Sequence, residues 1–140
     1  MNEALLAYIW QLQYFDKKDL LTCAGETLAI FQPGQKNTHA GPDFYQARIK
    51  IADIVWVGSI EIHIHASAWL THKHHMDATY ENVVLHVVWE NDRQLVRADG
   101  TVVATLELKN RVDVNLLRQY QAVIQSLHPI PCAYALGSIN

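Results

Sequence analysis

From residue 44 to residue 66 the chain alternates between apolar and polar side chains, and this pattern limits what it can fold into. In the first run, Tyr45, Ala47, Ile49 and Ile51 fall on one face of an extended chain, with Gln46, Arg48 and Lys50 on the other. In the second run, Ile60, Ile62 and Ile64 share one face, and Ser59, Glu61, His63 and His65 share the opposite one. Successive side chains of a strand point to opposite faces, so a period of two predicts strands. Ala52-Asp53 reads as the turn between the runs, which makes them a hairpin. The rest of the chain must extend or cover a sheet.

The flanking segments supply those parts. Asn2 is a good N-cap, and Leu5, Leu6, Ile9, Trp10 and Leu12 follow at helical spacing, so a helix is expected over 3–14. Residues 26–31 read as a strand closed by Pro33-Gly34, and 35–42 as a polar loop ending in Gly41-Pro42. Residues 67–81 are a short helix or a loop. Val83 to Trp89 is β-branched and apolar, which suits a central strand. Residues 94–97 and 101–109 flank Asp99-Gly100, a dipeptide favoured in type I′ hairpins. Val114 to Leu127 has helical apolar spacing. The expected fold is α+β: a mixed, mostly antiparallel sheet with N- and C-terminal helices, forming one domain over 1–128. Residues 129–140 read as a tail that leads into a longer parent chain and contacts its later parts.

Composition narrows the function class. The net charge of -3 gives no general attraction to nucleic acid, so such a contact would need a local basic patch. No apolar run approaches the roughly 20 residues that span a bilayer. The N-terminus lacks a secretory pattern, and a cytoplasmic location is expected. Cys23 and Cys132 show no metal or redox spacing and are expected to be buried thiols. Trp56, Trp69 and Tyr80 are expected in the core.

The chemistry-bearing residues gather between Asn37 and His86, where seven of the eight histidines lie. In the hairpin, Asp43 and Glu61 fall opposite one another, and His63 shares the face of Glu61. Two carboxylates meeting at a strand end form a hard oxygen site for Mg²⁺ or Mn²⁺, and such an ion could polarise a phosphodiester and activate water. A second grouping adds His65, His72 and His74 to these, with Zn²⁺ then possible. His86, inside an apolar strand, is expected to be a hydrogen-bonded core histidine. Glu107-x-Lys109, with Asp92 before it, is a decoy: it reads as the solvated face of a strand. No GxSxG, GxxxxGK[ST] or HExxH is present.

Pro42-Asp43 followed by Glu61-x-His63 resembles the PD-(D/E)xK nuclease superfamily, in which Pro-Asp opens one strand and an acid-x-Lys sits on the next. That resemblance implies a core ordered helix–strand–strand–strand–helix–strand and a metal-dependent nuclease, with His63 standing in place of the family's lysine. A second resemblance covers nearly the whole chain. Tyr8-Ile9-Trp10-Gln11, Asn37, Gly41-Pro42-Asp43-Phe44, Gly58-x-Ile60-Glu61-x-His63, Trp69, His72-x-His74, Asp77, Tyr80, Leu85-His86-Val87-Val88 and Leu106-Glu107-Leu108 are similar to a bacterial family described only as a domain of unknown function. Ala68 departs from it, where an acidic residue is expected before Trp69. Two functions stay open. One is a metal-dependent phosphodiesterase or nuclease in which Asp43, Glu61 and His63 are catalytic, acting on nucleic acid or another phosphate-containing substrate. The other is a non-catalytic binding or assembly module with a histidine-rich face or a structural transition-metal site.

Overall fold

The computed structural model describes residues 1–72, 76 and 78–127. Its elements are helix α1 (Glu3–Leu12), strands β1 (Leu28–Gln32), β2 (Gln35–Lys36), β3 (Phe44–Ile51) and β4 (Ile54–His65), helix α2 (Ala68–Thr71), strands β5 (Val83–Glu90) and β6 (Thr105–Glu107), and helix α3 (Val114–Leu127). A 3₁₀ turn at Ala78–Tyr80 precedes β5. The sheet runs β1-β3-β4-β5-β6, with β2 also on β3. Pairings among β1 to β4 are antiparallel, and β4–β5 and β5–β6 are parallel. This is the expected α+β arrangement, mixed and mostly antiparallel. Among the described residues no helix is long and apolar enough to cross a membrane.

Helix α1 begins where the Asn2 side chain accepts from the Leu5 N–H at 2.8 Å. It ends at Leu12, two residues earlier than the expected 14, and Gln13 caps it in a left-handed conformation. Its buried face, Leu5, Leu6, Ile9 and Trp10, packs with Phe44, Ile60, Ile62, Leu85 and Val87 in the main core. Burying side chains of this size stabilises by roughly 1.5–3 kcal/mol each relative to exposure. The Trp10 indole N–H is satisfied by the Pro33 carbonyl at 2.9 Å. The opposite sheet face carries a second cluster that includes Trp69, Tyr80, Val88, Leu95 and Val103. The far half of β4 is therefore buried on both faces, as strands with parallel neighbours usually are.

Several local expectations are corrected. The 3–4 hairpin turns at Ala52-Asp53, but a bulge interrupts β3 between Phe44 and Ala47, with Gln46 at φ +58°. Tyr45 is consequently exposed instead of facing inward with Ala47, Ile49 and Ile51. The polar loop contains β2, two residues paired with β3. The Asp99-Gly100 hairpin shrinks to a single bridge, Val96–Val102, and β6 instead adds to β5 in parallel. Only Gly100 has positive φ there, whereas a type I′ turn needs it at both central residues. The Asp99 carboxylate accepts from the Thr101 N–H at 2.9 Å instead. Trp56 is 45% exposed, because β5 does not reach alongside that end of β4. Cys23 is an exposed free thiol and not a buried one; Cys132 lies outside the described residues.

Gly58 marks where β5 closes on β4. A Cβ there would stand 2.5 Å from Val84 Cγ1 and 2.6 Å from the Asn82 carbonyl oxygen. The carbonyl belongs to backbone that also accepts from Ser59 N–H and cannot step aside. Gly58→Ala is expected to cost about 1–3 kcal/mol in urea unfolding. A loss below about 0.5 kcal/mol, the scale of ordinary surface changes, would contradict this packing.

Candidate functional site

The bulge in β3 brings the acidic pair together. In the regular register near the turn, Ala47 pairs with Gly58; beyond the bulge, Phe44 pairs with Ile60. The extra residue puts Phe44 into the core beside Ile60 and leaves Asp43 next in line against Glu61. The two residues clasp: Asp43 Oδ2 accepts the Ile62 N–H at 2.7 Å, and Glu61 Oε1 accepts the Asp43 N–H at 3.3 Å. Their side chains also hydrogen-bond to each other. Glu61 is 3% exposed, and Asp43 is half-buried at the strand mouth. Burial first, then the hydrogen bond to Asp43 and its charge, push Glu61 up to about 10. Glu61 therefore holds its proton beside Asp43.

A row of histidines lies on the same face of β4 and β5. His63 Nδ1 meets His86 Nε2 at 2.7 Å, and His63 Nε2 meets His72 Nδ1 at 3.1 Å. His63 and His86 are buried and His72 is exposed, so the row runs from the interior to the surface. Parallel pairing of Glu61 with His86 and of His63 with Val88 sets the first link. The second depends on α2, whose C-cap is His72. Asp92 fixes the start of that helix by accepting from the Ser67 N–H at 2.9 Å and the Ser67 hydroxyl at 2.7 Å. Trp69, buried on α2, packs against the His86 ring with centroids 5.1 Å apart and edge-on to Tyr80.

His65 is at the exposed end of β4, and His74 lies outside the described residues. Among the described residues, no three His, Cys, Asp or Glu side chains converge as a metal cluster. His86 is the hydrogen-bonded core histidine expected. Glu107 accepts from the Asn91 N–H at 2.7 Å and Lys109 pairs with Glu90 at 3.4 Å, so the decoy is a surface support. Glu3 is one residue that sequence reasoning missed. It opens α1, and desolvation followed by the charge of Asp43 raises its carboxyl, while His72 pulls it back. Glutamate in the first turn of a helix reads only as a complement to the helix dipole. Nothing in its sequence context points to Asp43.

The structure therefore defines an α+β domain with a hydrogen-bonded carboxyl pair beside a histidine row. The family model described as "Protein of unknown function (DUF2851)" matches residues 3–140. The chain belongs to this family. No curated protein and no solved structure matches it.

The carboxyl pair gives stability a distinctive pH dependence. The unfolded Glu61 ionises near its ordinary 4.5, while the folded one keeps its proton far above that. Between those values unfolding releases a proton, so stability falls as pH rises, by at most about 1.4 kcal/mol per pH unit. Glu61→Gln cannot release it. Measured by urea unfolding in EDTA from about pH 5 to about pH 9, the variant should gain on the parent as pH rises. Parallel curves would contradict a proton held on folded Glu61.

Proposed function

We propose that this chain is a metal-dependent phosphodiesterase-type domain in which Asp43 and Glu61 hold a divalent ion. The observation that carries this proposal is the carboxyl pair itself. A buried carboxyl facing a second one keeps a proton at a cost that a divalent cation would relieve by replacing it. Mg²⁺ and Mn²⁺ suit the pair, because Mg²⁺ is commonly held by one or two carboxylates, with water and substrate phosphate completing its shell. Zn²⁺ at the histidines fits less well, since both His63 ring nitrogens are engaged by neighbouring rings. The order of a helix, the paired strands carrying Asp43 and Glu61, a short helix and a parallel strand also supports the PD-(D/E)xK likeness.

A divalent ion bound at the pair would polarise a phosphodiester and lower the pKa of water. The histidines handle the proton. For His72 Nε2 to act as a base, its Nδ1–H must donate to His63 Nε2, and His63 Nδ1–H must donate to His86 Nε2. Each ring thus fixes the tautomer of the next, and buried His63 positions exposed His72. His65 and His74 are not needed for this role. The substrate class is a phosphodiester, with nucleic acid the leading example. A cytoplasmic setting agrees with the free Cys23 thiol.

Calorimetric titration with Mn²⁺ should give one strong site. Asp43→Asn and Glu61→Gln should each weaken it at least about tenfold, equivalent to about 1.4 kcal/mol. Mn²⁺-dependent hydrolysis of bis(p-nitrophenyl) phosphate should fall at least about 100-fold in His63→Ala and stay unchanged in Glu107→Gln. If both carboxylate variants bind Mn²⁺ as the parent does, the proposal is wrong.

A further inference from the structure

Independently of the carboxyl pair, the sheet contains a slot one strand wide. β5 lies between β4 and β6, and the three run parallel, with Glu61, His86 and Thr105 in one row across them. Two strand spacings, roughly 9–10 Å between backbones, therefore separate β4 from the line of β6. Before that row, β5 leaves its place empty. It starts at Val83, opposite Ser59, whereas β4 starts at Ile54. Val57 and Thr101 each stand four positions before the row, on either side of the missing strand. A cavity of about 590 Å³ fills this place, with Trp56 and Val57 on one wall and Thr101 and Val102 on the other.

Both walls are built for a strand. Arg97 fixes the far one: its guanidinium donates to the Val83 carbonyl, where β5 begins, and to the Val102 carbonyl at 3.4 Å. The near wall is an unused pairing edge. The Ser59 N–H reaches the Asn82 carbonyl on the β5 side. Backbone groups alternate sides along a strand, so those of Val55 and Val57 point into the slot. The side chains of Ile54, Val55, Trp56 and Val57 are apolar and 45–65% exposed. Sheet edges are normally guarded by charge, proline or a bulge, and Ile54–Val57 carries none of these.

We infer that the slot takes an extended peptide of a partner, added beside β4 as the strand that β5 does not supply. A lone peptide brings the N–H and C=O groups that the open edge lacks, and it fits a space one strand wide. A second copy of β4 would bring its own β3 with it, which the far wall blocks. Apolar side chains suit the peptide, because both faces of the near wall are apolar. Its flank is basic. Glu26, Glu81 and Asp99 line the slot with exposed carboxylates, while the one cation there, Arg97, is engaged by carbonyls. In this mode main-chain bonds supply affinity and the side chains supply specificity.

Calorimetric titration of the 140-residue chain with a synthetic peptide tests this. The probe is an acetylated and amidated heptapeptide of alternating valine and threonine with a lysine at each end. It should bind with a Kd of about 100 μM or below. The same peptide with every amide between the lysines N-methylated cannot pair, and should bind at least about tenfold more weakly. Glutamate in place of both lysines should weaken binding in the same way, and the double variant Glu26→Lys, Glu81→Lys should reverse that preference. Val55→Pro removes an N–H that faces the slot and no bond to β3, so it should abolish binding while circular dichroism stays unchanged. Val102→Trp, which narrows the slot from its far wall, serves if that variant misfolds. No binding of the lysine peptide at about 1 mM overturns the inference. So does equal binding of the N-methylated peptide, or binding that both Val55→Pro and Val102→Trp leave unchanged.

Discussion

Two carboxyl groups meeting across β3 and β4 are the contact on which the rest of this site depends. Asp43 accepts a backbone N–H of β4, and Glu61 accepts the backbone N–H of Asp43. Each carboxyl thus anchors the strand that carries the other. A hydrogen bond to a carboxylate contributes about 1.5–3 kcal/mol, enough to offset a local irregularity. The irregularity is the bulge at Gln46, which places a non-glycine residue at φ +58°. Without the extra residue, Phe44 would face Glu61 and the core would lose an aromatic ring. With it, apolar and acidic residues separate to opposite faces. Bulges are common next to active sites because they re-aim side chains in this way.

The parallel pairing of β4 with β5 does the second half of the work. It covers both faces of the strand that carries Glu61 and His63, so both side chains are held away from water. Burial raises Glu61, and the same burial makes the histidine bonds directional and costly to break. The row ends at exposed His72 because α2 follows directly on the end of β4, fixed by Asp92 and packed through Trp69. One end of β4 is therefore enclosed and polar, while the other, before Gly58, is open and apolar. The steric limit at Gly58 separates the two.

Much of this could be read from the sequence. Period-two alternation gave the hairpin and its turn, helical spacing gave α3, and the same hairpin register put Asp43 near Glu61. The bulge could not be read, because Gln46 carries no glycine signal and alternation counts Tyr45 as inward. Trp56 was misplaced for a related reason. A large aromatic usually goes to the core, and only the length of the neighbouring strand shows that it does not. Asp99-Gly100 suggested a hairpin, but parallel pairing of β6 with β5 displaced it; local turn propensity lost to tertiary pairing. The contacts among His63, His86 and His72 combine residues from three elements, and His-x-His spacing could not distinguish that row from a metal cluster. Glu3 lies forty positions before Asp43 in the chain and needs the fold to connect them.

Anomalous diffraction from crystals soaked in Mn²⁺ tests the central claim most directly. The account expects one strong peak between the Asp43 and Glu61 carboxylates, with the rings of His63, His72 and His86 still bonded to one another. An empty carboxyl pair, or a peak seated on the histidines instead, would contradict it.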